Sequence, residues 1–180
     1  GIPANNAAMA IMNENGSSLE AVEAGVRVTE ADPLSQSVGL GGRPDKDGHV
    51  TLDACIMDSG GNAGSVAFLR DIKHPISVAR EVMEQTDHVM LVGEGAKRFA
   101  LEKGFKEENL LTDKSREEWL QWKKDNSIKD SWGPNDEHDT ISTLARDNNG
   151  NLAGACTTSG LAYKLHGRVG DSPIIGAGMY

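Results

Sequence analysis

At 180 residues, with 38% hydrophobic but only 4% aromatic residues, the chain has the length of one domain, and its core must come mainly from Val, Ile, Leu, Met and Ala. Twenty-seven acidic against 18 basic residues give a net charge of −9, which argues against nucleic-acid binding, where a concentrated basic surface is needed. No apolar run reaches the roughly 18 residues of a membrane-spanning helix. The two cysteines, Cys55 and Cys156, form no C-x-x-C pair and read as buried free thiols. The five histidines have no ligand-like spacing, so neither a metal site nor a cofactor is expected.

In chain order, Asn5 to Glu14 reads as a short helix stopped by Gly16. Ser17 and Glu20 have capping-box spacing, and Leu19, Val22 and Val26 follow on one helical face, which predicts a helix to about Glu30. Ser37 to Gly42 is expected to be a strand ending in a glycine turn. Val50 to Asp58 and Ser65 to Leu69 are expected strands joined by a turn at Ser59 to Asn62. Pro75 suits a first helical position, with the helix continuing to Gln85. A short strand over Val89 to Val92 and a helix over Gly95 to Lys103 follow. Gly93-x-Gly95 lacks the third glycine of a dinucleotide loop, since Arg98 holds that place. Ser115 to Lys124 is a charged helix with Trp119 and Trp122 as its packing edge. The polar stretch Asp125 to Glu137, with Gly133-Pro134, reads as an exposed, mobile loop. Strands are then expected at Thr140 to Arg146 and Asn151 to Thr158, around the turn Asp147 to Gly150.

That turn sets a register. With its centre near Asn149, paired positions sum to about 298, so Thr140 faces Thr158 at the open end of the hairpin. On spacing alone a Thr–Thr cross-strand pair is an ordinary sheet feature. A threonine hydroxyl is also a poor nucleophile without a base. A chain cut just before Thr140 would supply one, because the new α-amine has a pKa of about 7.7–8.0. Farther on, the glycines and proline of His166 to Pro173 force a bend that lets Arg168 and Asp171 reach a common space. An Arg fork suits a carboxylate and an Asp suits an ammonium, the two charged groups of an amino-acid head. An ordinary surface ion pair is the competing reading.

At these residues the sequence resembles the glycosylasparaginases. His138-Asp139-Thr140-Ile141 is similar to their processing site. Gly154 to Gly160 (GACTTSG) and His166 to Gly178 (HGRVGDSPIIGAG) are similar to their following segments. Upstream, Ser37 to Pro44, Thr51 to Asp58, His74 to Arg80 and Met90 to Ala96 match as well, so the resemblance spans essentially the whole chain. It implies an α+β fold, the four-layer αββα sandwich of the N-terminal-nucleophile hydrolases. Residues 1–180 would form a single, partial domain, with 1–139 corresponding to an α subunit and 140–180 to the start of a β subunit. It implies self-cleavage between Asp139 and Thr140 by an N→O acyl shift, then hydrolysis of the amide joining asparagine to N-acetylglucosamine. Thr140 would be nucleophile and base, and Thr158 would orient it. Arg168 would hold the substrate's α-carboxylate and Asp171 its α-amino group. It further implies a small glycosylated-asparagine substrate, no cofactor, a homodimer of cleaved protomers, and a lysosomal or extracytoplasmic setting.

The sequence departs from the family pattern at Ser142, where glycine is usual, and a side chain there is expected to crowd the site. The family's early tryptophan strand and its oxyanion-hole Thr-Gly pair would lie before Gly1 and after Tyr180. Two other readings stay open: a plant-type asparaginase or isoaspartyl peptidase, and a non-catalytic remnant that keeps amino-acid binding.

Overall fold

A computed structural model describes residues 1–126 and 140–180. The expected loop before Thr140 falls outside these residues apart from its first two positions, as do His138 and Asp139. The chain is a mixed α+β structure built on one five-stranded sheet. It opens with two helices, α1 (Ile2–Asn13) and α2 (Ser18–Glu30), then strands β1 (Leu52–Met57) and β2 (Ala63–Leu69). Helix α3 (Pro75–Gln85), strand β3 (Met90–Val92) and helices α4 (Gly93–Glu102) and α5 (Asp113–Asp125) follow, and the hairpin β4 (Ile141–Arg146) and β5 (Leu152–Thr158) closes the series. The sheet order is β3-β2-β1-β5-β4, all antiparallel except β2–β3.

Local chemistry accounts for the element ends. Ser17 caps α2 by accepting from the Glu20 N–H, and the Glu20 side chain returns the bond to the Ser17 N–H. Pro75 opens α3, where its missing N–H costs nothing. Asp58 turns β1 into β2 by accepting from the N–H groups of Gly60 and Asn62. Asp147 does the same for the last hairpin, accepting from the N–H groups of Asn149 and Asn151. It also reaches the Ser18 N–H, so the turn is tied to the start of α2.

Alternation along the strands gives the sheet two different faces. Ala54, Ile56, Val66, Ala153 and Ala155 point toward the helices and form the main core with Val22, Val26, Ile76, Val78 and Val82. Small alanines on the strands let α2 and α3 lie close to the sheet. Cys55, Cys156, Thr158 and Ser65 point the other way. That second face is crossed by the segment around Pro173, whose carbonyl accepts from Ser65 Oγ at 2.6 Å. Of the four layers the resemblance implies, the described residues supply one sheet with helices packed on one face.

One expected strand is absent. Ser37 to Gly42 is a string of bends and turns. Gly39 (φ 55°) and Gly41 (φ 85°) take left-handed backbone conformations, and the segment bonds to other elements instead of to a strand. The Leu40 N–H donates to the Glu30 carbonyl and the Gly41 N–H to the Leu110 carbonyl. A Cβ on Gly39 would lie 2.1 Å from the Glu30 carbonyl oxygen, so glycine is required where the chain wraps the end of α2. Helix α5 then packs on this loop region. Ser115 Oγ donates to the Gly41 carbonyl, Trp119 Nε1 donates to the Lys46 carbonyl, and Trp122 stacks on Tyr163 at 4.7 Å. The two tryptophans therefore act as the packing anchors their positions predicted.

Candidate active site

The hairpin register follows the turn-based expectation. Ile141 pairs with Thr157 and Ser142 with Cys156, which brings Thr140 beside Thr158 at the open end. Thr158 in turn pairs with Asp53 on β1, so the site sits where three strands meet. A cavity of about 260 Å³ opens there, walled by Thr140, Thr158, Gly160, Arg168, Gly170, Asp171 and Ser172. All four side chains singled out from the sequence in the described region thus share one cavity.

The walls have distinct origins. Thr140 stands just before β4 and is exposed, with its Oγ1 3.5 Å from Ser172 Oγ. Thr158 ends β5 and is almost wholly buried, and its Oγ1 accepts from the Gly160 N–H at 2.9 Å. That bond turns the chain out of the sheet at Gly160 (φ 73°). Arg168 and Asp171 come from the bend after it. A Cβ on Gly170 would lie 3.2 Å from Arg168 Nη1, and one on Gly160 would lie 3.1 Å from the same atom. Glycine at both positions leaves room for the planar guanidinium.

The bend is held from outside the cavity. The Tyr163 N–H donates to the Pro44 carbonyl, and the Lys46 N–H donates to the Lys164 carbonyl. His166 Nδ1 lies 2.8 Å from the carboxylate of Asp45, which is fully buried. On the other side the Pro173 carbonyl is pinned by Ser65. Arg168 and Asp171 therefore ride on a loop clamped at both ends, the arrangement a binding site needs if its ligands are to be preorganised.

Two buried ionic groups flank the site. Glu30, at the end of α2, is fully buried. It accepts from Thr157 Oγ1 at 2.8 Å and from the Ile76 N–H at 3.1 Å, and it meets His74 Nδ1 at 3.0 Å. Burial pushes its carboxyl above the usual carboxylate range, against the bonds to His74, Thr157 and Ile76 that favour the charge. One carboxylate thus ties α2, the start of α3 and the end of β5 together behind Thr158. On the cavity side, Asp53 and Lys164 are two further buried ionisable groups that feel each other's charge. Burial raises the Asp53 carboxyl and lowers the Lys164 ammonium, and each opposes the other's shift.

Beneath the cavity Cys55 and Cys156 face each other across β1 and β5 as free, buried thiols. Hydrogen bonding to Cys156, with burial second, pushes the Cys55 thiol up. Ser142 lies opposite Cys156 and bonds to it, and its side chain is not among the cavity walls. Ser142 sits two pairs along the ladder from Thr140 and Thr158, on the same face of the sheet as Thr140.

Sequence reasoning assigned no role to Gly160, Gly170, Ser172, Asp53 or Lys164. The first four lie within the motif stretches that carried the resemblance and could have been flagged by proximity. Lys164 gave no signal, since a lysine between a tyrosine and a leucine in a loop reads as solvent-facing.

Comparison with known proteins places these features in context. The asparaginase family model matches residues 3–180. A protein of Elizabethkingia miricola named N(4)-(beta-N-acetylglucosaminyl)-L-asparaginase is 60% identical over 180 residues, covering 100% of this chain and 53% of that protein. Proteins of the same name from Mus musculus and Rattus norvegicus are 39% and 38% identical, each over 98% of this chain and 60% of their own length. The chain thus spans a little over half the length of the curated relatives it matches.

Proposed function

Because the chain belongs to the asparaginase family, we propose that it is the part of a glycosylasparaginase that carries the nucleophile and the amino-acid pocket. The observation that carries this reading is the single cavity in which Thr140 and Thr158 share walls with Arg168 and Asp171. Two hydroxyls beside an Arg and an Asp complement an asparagine head with its side-chain amide directed at the nucleophile. No metal is needed for such a reaction. Among the described residues no helix is long and apolar enough to cross a membrane.

The mechanism begins with the cut between Asp139 and Thr140, which divides the chain into segments 1–139 and 140–180. Thr140 Oγ1 attacks the Asp139 carbonyl carbon, and the C–N bond breaks to leave an ester and a free Thr140 amine. Water then hydrolyses the ester, releasing the Asp139 carboxylate and the Thr140 hydroxyl. In turnover, Arg168 pairs with the substrate's α-carboxylate and Asp171 with its α-ammonium. Thr140 Oγ1 attacks the side-chain amide carbon while the α-amine takes the hydroxyl proton. The tetrahedral oxyanion collapses, the amine proton passes to the departing amino sugar, and an acyl-enzyme remains. Water activated by the same amine releases aspartate. Thr158, fixed by Gly160, orients the nucleophile. His138 and Asp139 serve processing alone, and the cleaved protomers pair as a homodimer.

The test compares hydrolysis rates on N4-(β-N-acetylglucosaminyl)-L-asparagine and on β-aspartyl dipeptides with the intact protein. Preference for the glycosylated substrate is expected. Preference for the dipeptides assigns the protein to the isoaspartyl peptidase branch instead, and no turnover of either would leave a binding remnant.

A further inference from the structure

Lys164 is 5% exposed, unusual for a lysine, and nothing in the mechanism above uses it. Its Nζ donates to the Ser159 carbonyl at 2.8 Å and lies 3.5 Å from the Thr51 carbonyl. The three residues that bond to Lys164 or feel its charge each carry a buried polar atom with no hydrogen-bond partner among the described residues: Thr51 Oγ1, Asp53 Oδ2 and Ser159 Oγ. A buried ammonium is costly unless it is paired or has work to do.

Its position supplies the work. A Cβ on Gly160 would lie 2.9 Å from Lys164 Nζ and 3.1 Å from Arg168 Nη1. The two cationic tips therefore meet at Gly160, a residue of the cavity wall. The charged groups that act on Lys164 come from three elements: Asp53 on β1, Arg168 on the bend, and Asp45 on the loop before β1. Asp53 offsets one of the two cations, because it feels both Lys164 and Arg168. Asp45 is already engaged by His166 and by the N–H groups of Asp47 and His49.

We propose that Lys164 is a positioning residue that preserves the positive field of Arg168 at the carboxylate end of the cavity by serving as the counter-charge of Asp53. The inference rests on the reading of Arg168 as the ligand of the substrate's α-carboxylate. Lys164 reaches the substrate through Gly160 and Arg168 and does not touch the reacting bond. It holds the guanidinium away from Asp53, which would otherwise capture it, and leaves the fork turned to the cavity. Its removal frees Asp53 to pull Arg168 inward. Removal of Asp53 leaves two uncompensated cations behind the wall.

The two substitutions therefore have opposite signs, which a merely structural role does not produce. The experiment measures inhibition of glycosylasparagine hydrolysis by L-aspartate and by β-alanine, which is aspartate without its α-carboxylate, in the intact processed protein and in Lys164→Met, Lys164→Arg and Asp53→Asn. Lys164→Met is expected to weaken aspartate by about tenfold while β-alanine changes little. Lys164→Arg should restore part of the loss, and Asp53→Asn should tighten aspartate. If Lys164→Met does not fold, the Asp53→Asn arm carries the test alone. Equal effects on the two inhibitors, or Asp53→Asn weakening aspartate, would overturn the inference and leave the proposed function standing. A wild-type protein that neither hydrolyses glycosylasparagine nor binds aspartate would overturn both.

Discussion

The β4–β5 hairpin has two faces with opposite tasks. Toward the helices it presents Ile141, Ala145, Ala153 and Ala155, which join the apolar core, and Thr157, which bonds to buried Glu30. Away from the helices it presents Thr140, Ser142, Cys156 and Thr158 near one end and Leu144 and Leu152 near the other. At the threonine end the outer face is polar and walled by the clamped bend. At the other end Leu144 is 80% exposed and Leu152 60%, beside Met179 and Tyr180. A single period-two alternation thus fixes the reacting groups on a surface whose reverse side is locked into the core. Stability and chemistry are separated by one residue along the strand, so substitutions one position apart should differ in kind.

Thr140→Ala tests the outer face and has the largest expected effect. Both chain cleavage and amide hydrolysis should fall by about a thousandfold or more, with the melting temperature little changed. Gly39→Ala tests the core side through α2, the helix that shares a core with the hairpin's inner face. Its Cβ would meet the Glu30 carbonyl, and the backbone there is left-handed, so stability should drop by about 3 kcal/mol or more in denaturant titration. Arg168→Ala removes a charge-assisted fork and should lower kcat/KM by about a hundredfold, mostly through KM.

Glu30→Gln sharpens the comparison through pH. Burial raises the Glu30 carboxyl above its ordinary value of 4.5, so the folded protein keeps a proton that the unfolded chain has lost. Its contribution to stability is complete below that value and is lost as pH rises through the folded-state pKa. Thermal melts between about pH 4 and about pH 8 should therefore show Glu30→Gln gaining on the wild type as pH rises. A constant gap would mean that the Glu30 carboxyl titrates alike in the folded and unfolded chain. The smallest expected effect is that of Ser172→Ala, a few-fold in kcat, because its hydroxyl stands 3.5 Å from Thr140 Oγ1, at the limit of a useful bond.

What the sequence revealed was what local chemistry decides. Ser17 and Glu20 announce a cap, Pro75 a helix start, and the Asp147 to Gly150 turn a register that holds to the residue. The Arg168 and Asp171 placement was legible too, because glycines and a proline leave the bend few alternatives. What stayed hidden depends on distant partners. Ser37 to Gly42 alternates like a strand, yet the Glu30 and Leu110 carbonyls claim its N–H groups. Glu30 looks like the solvent end of an amphipathic helix until His74, Thr157 and the Ile76 N–H close around it. Lys164 is buried by nearby Gly160 and Ser159 and also by Asp53 and the Thr51 carbonyl, which lie far away in sequence.

The central claim is that Thr140 becomes a chain terminus and acts from there. A denaturing intact-mass spectrum of the purified protein after prolonged incubation, followed by N-terminal sequencing of any fragment, tests it most directly. The account predicts two fragments meeting at Asp139–Thr140, with hydrolytic activity rising as the uncut chain disappears. An uncut chain that hydrolyses glycosylasparagine at a steady rate would contradict it, because Thr140 would then lack the amine on which the mechanism depends.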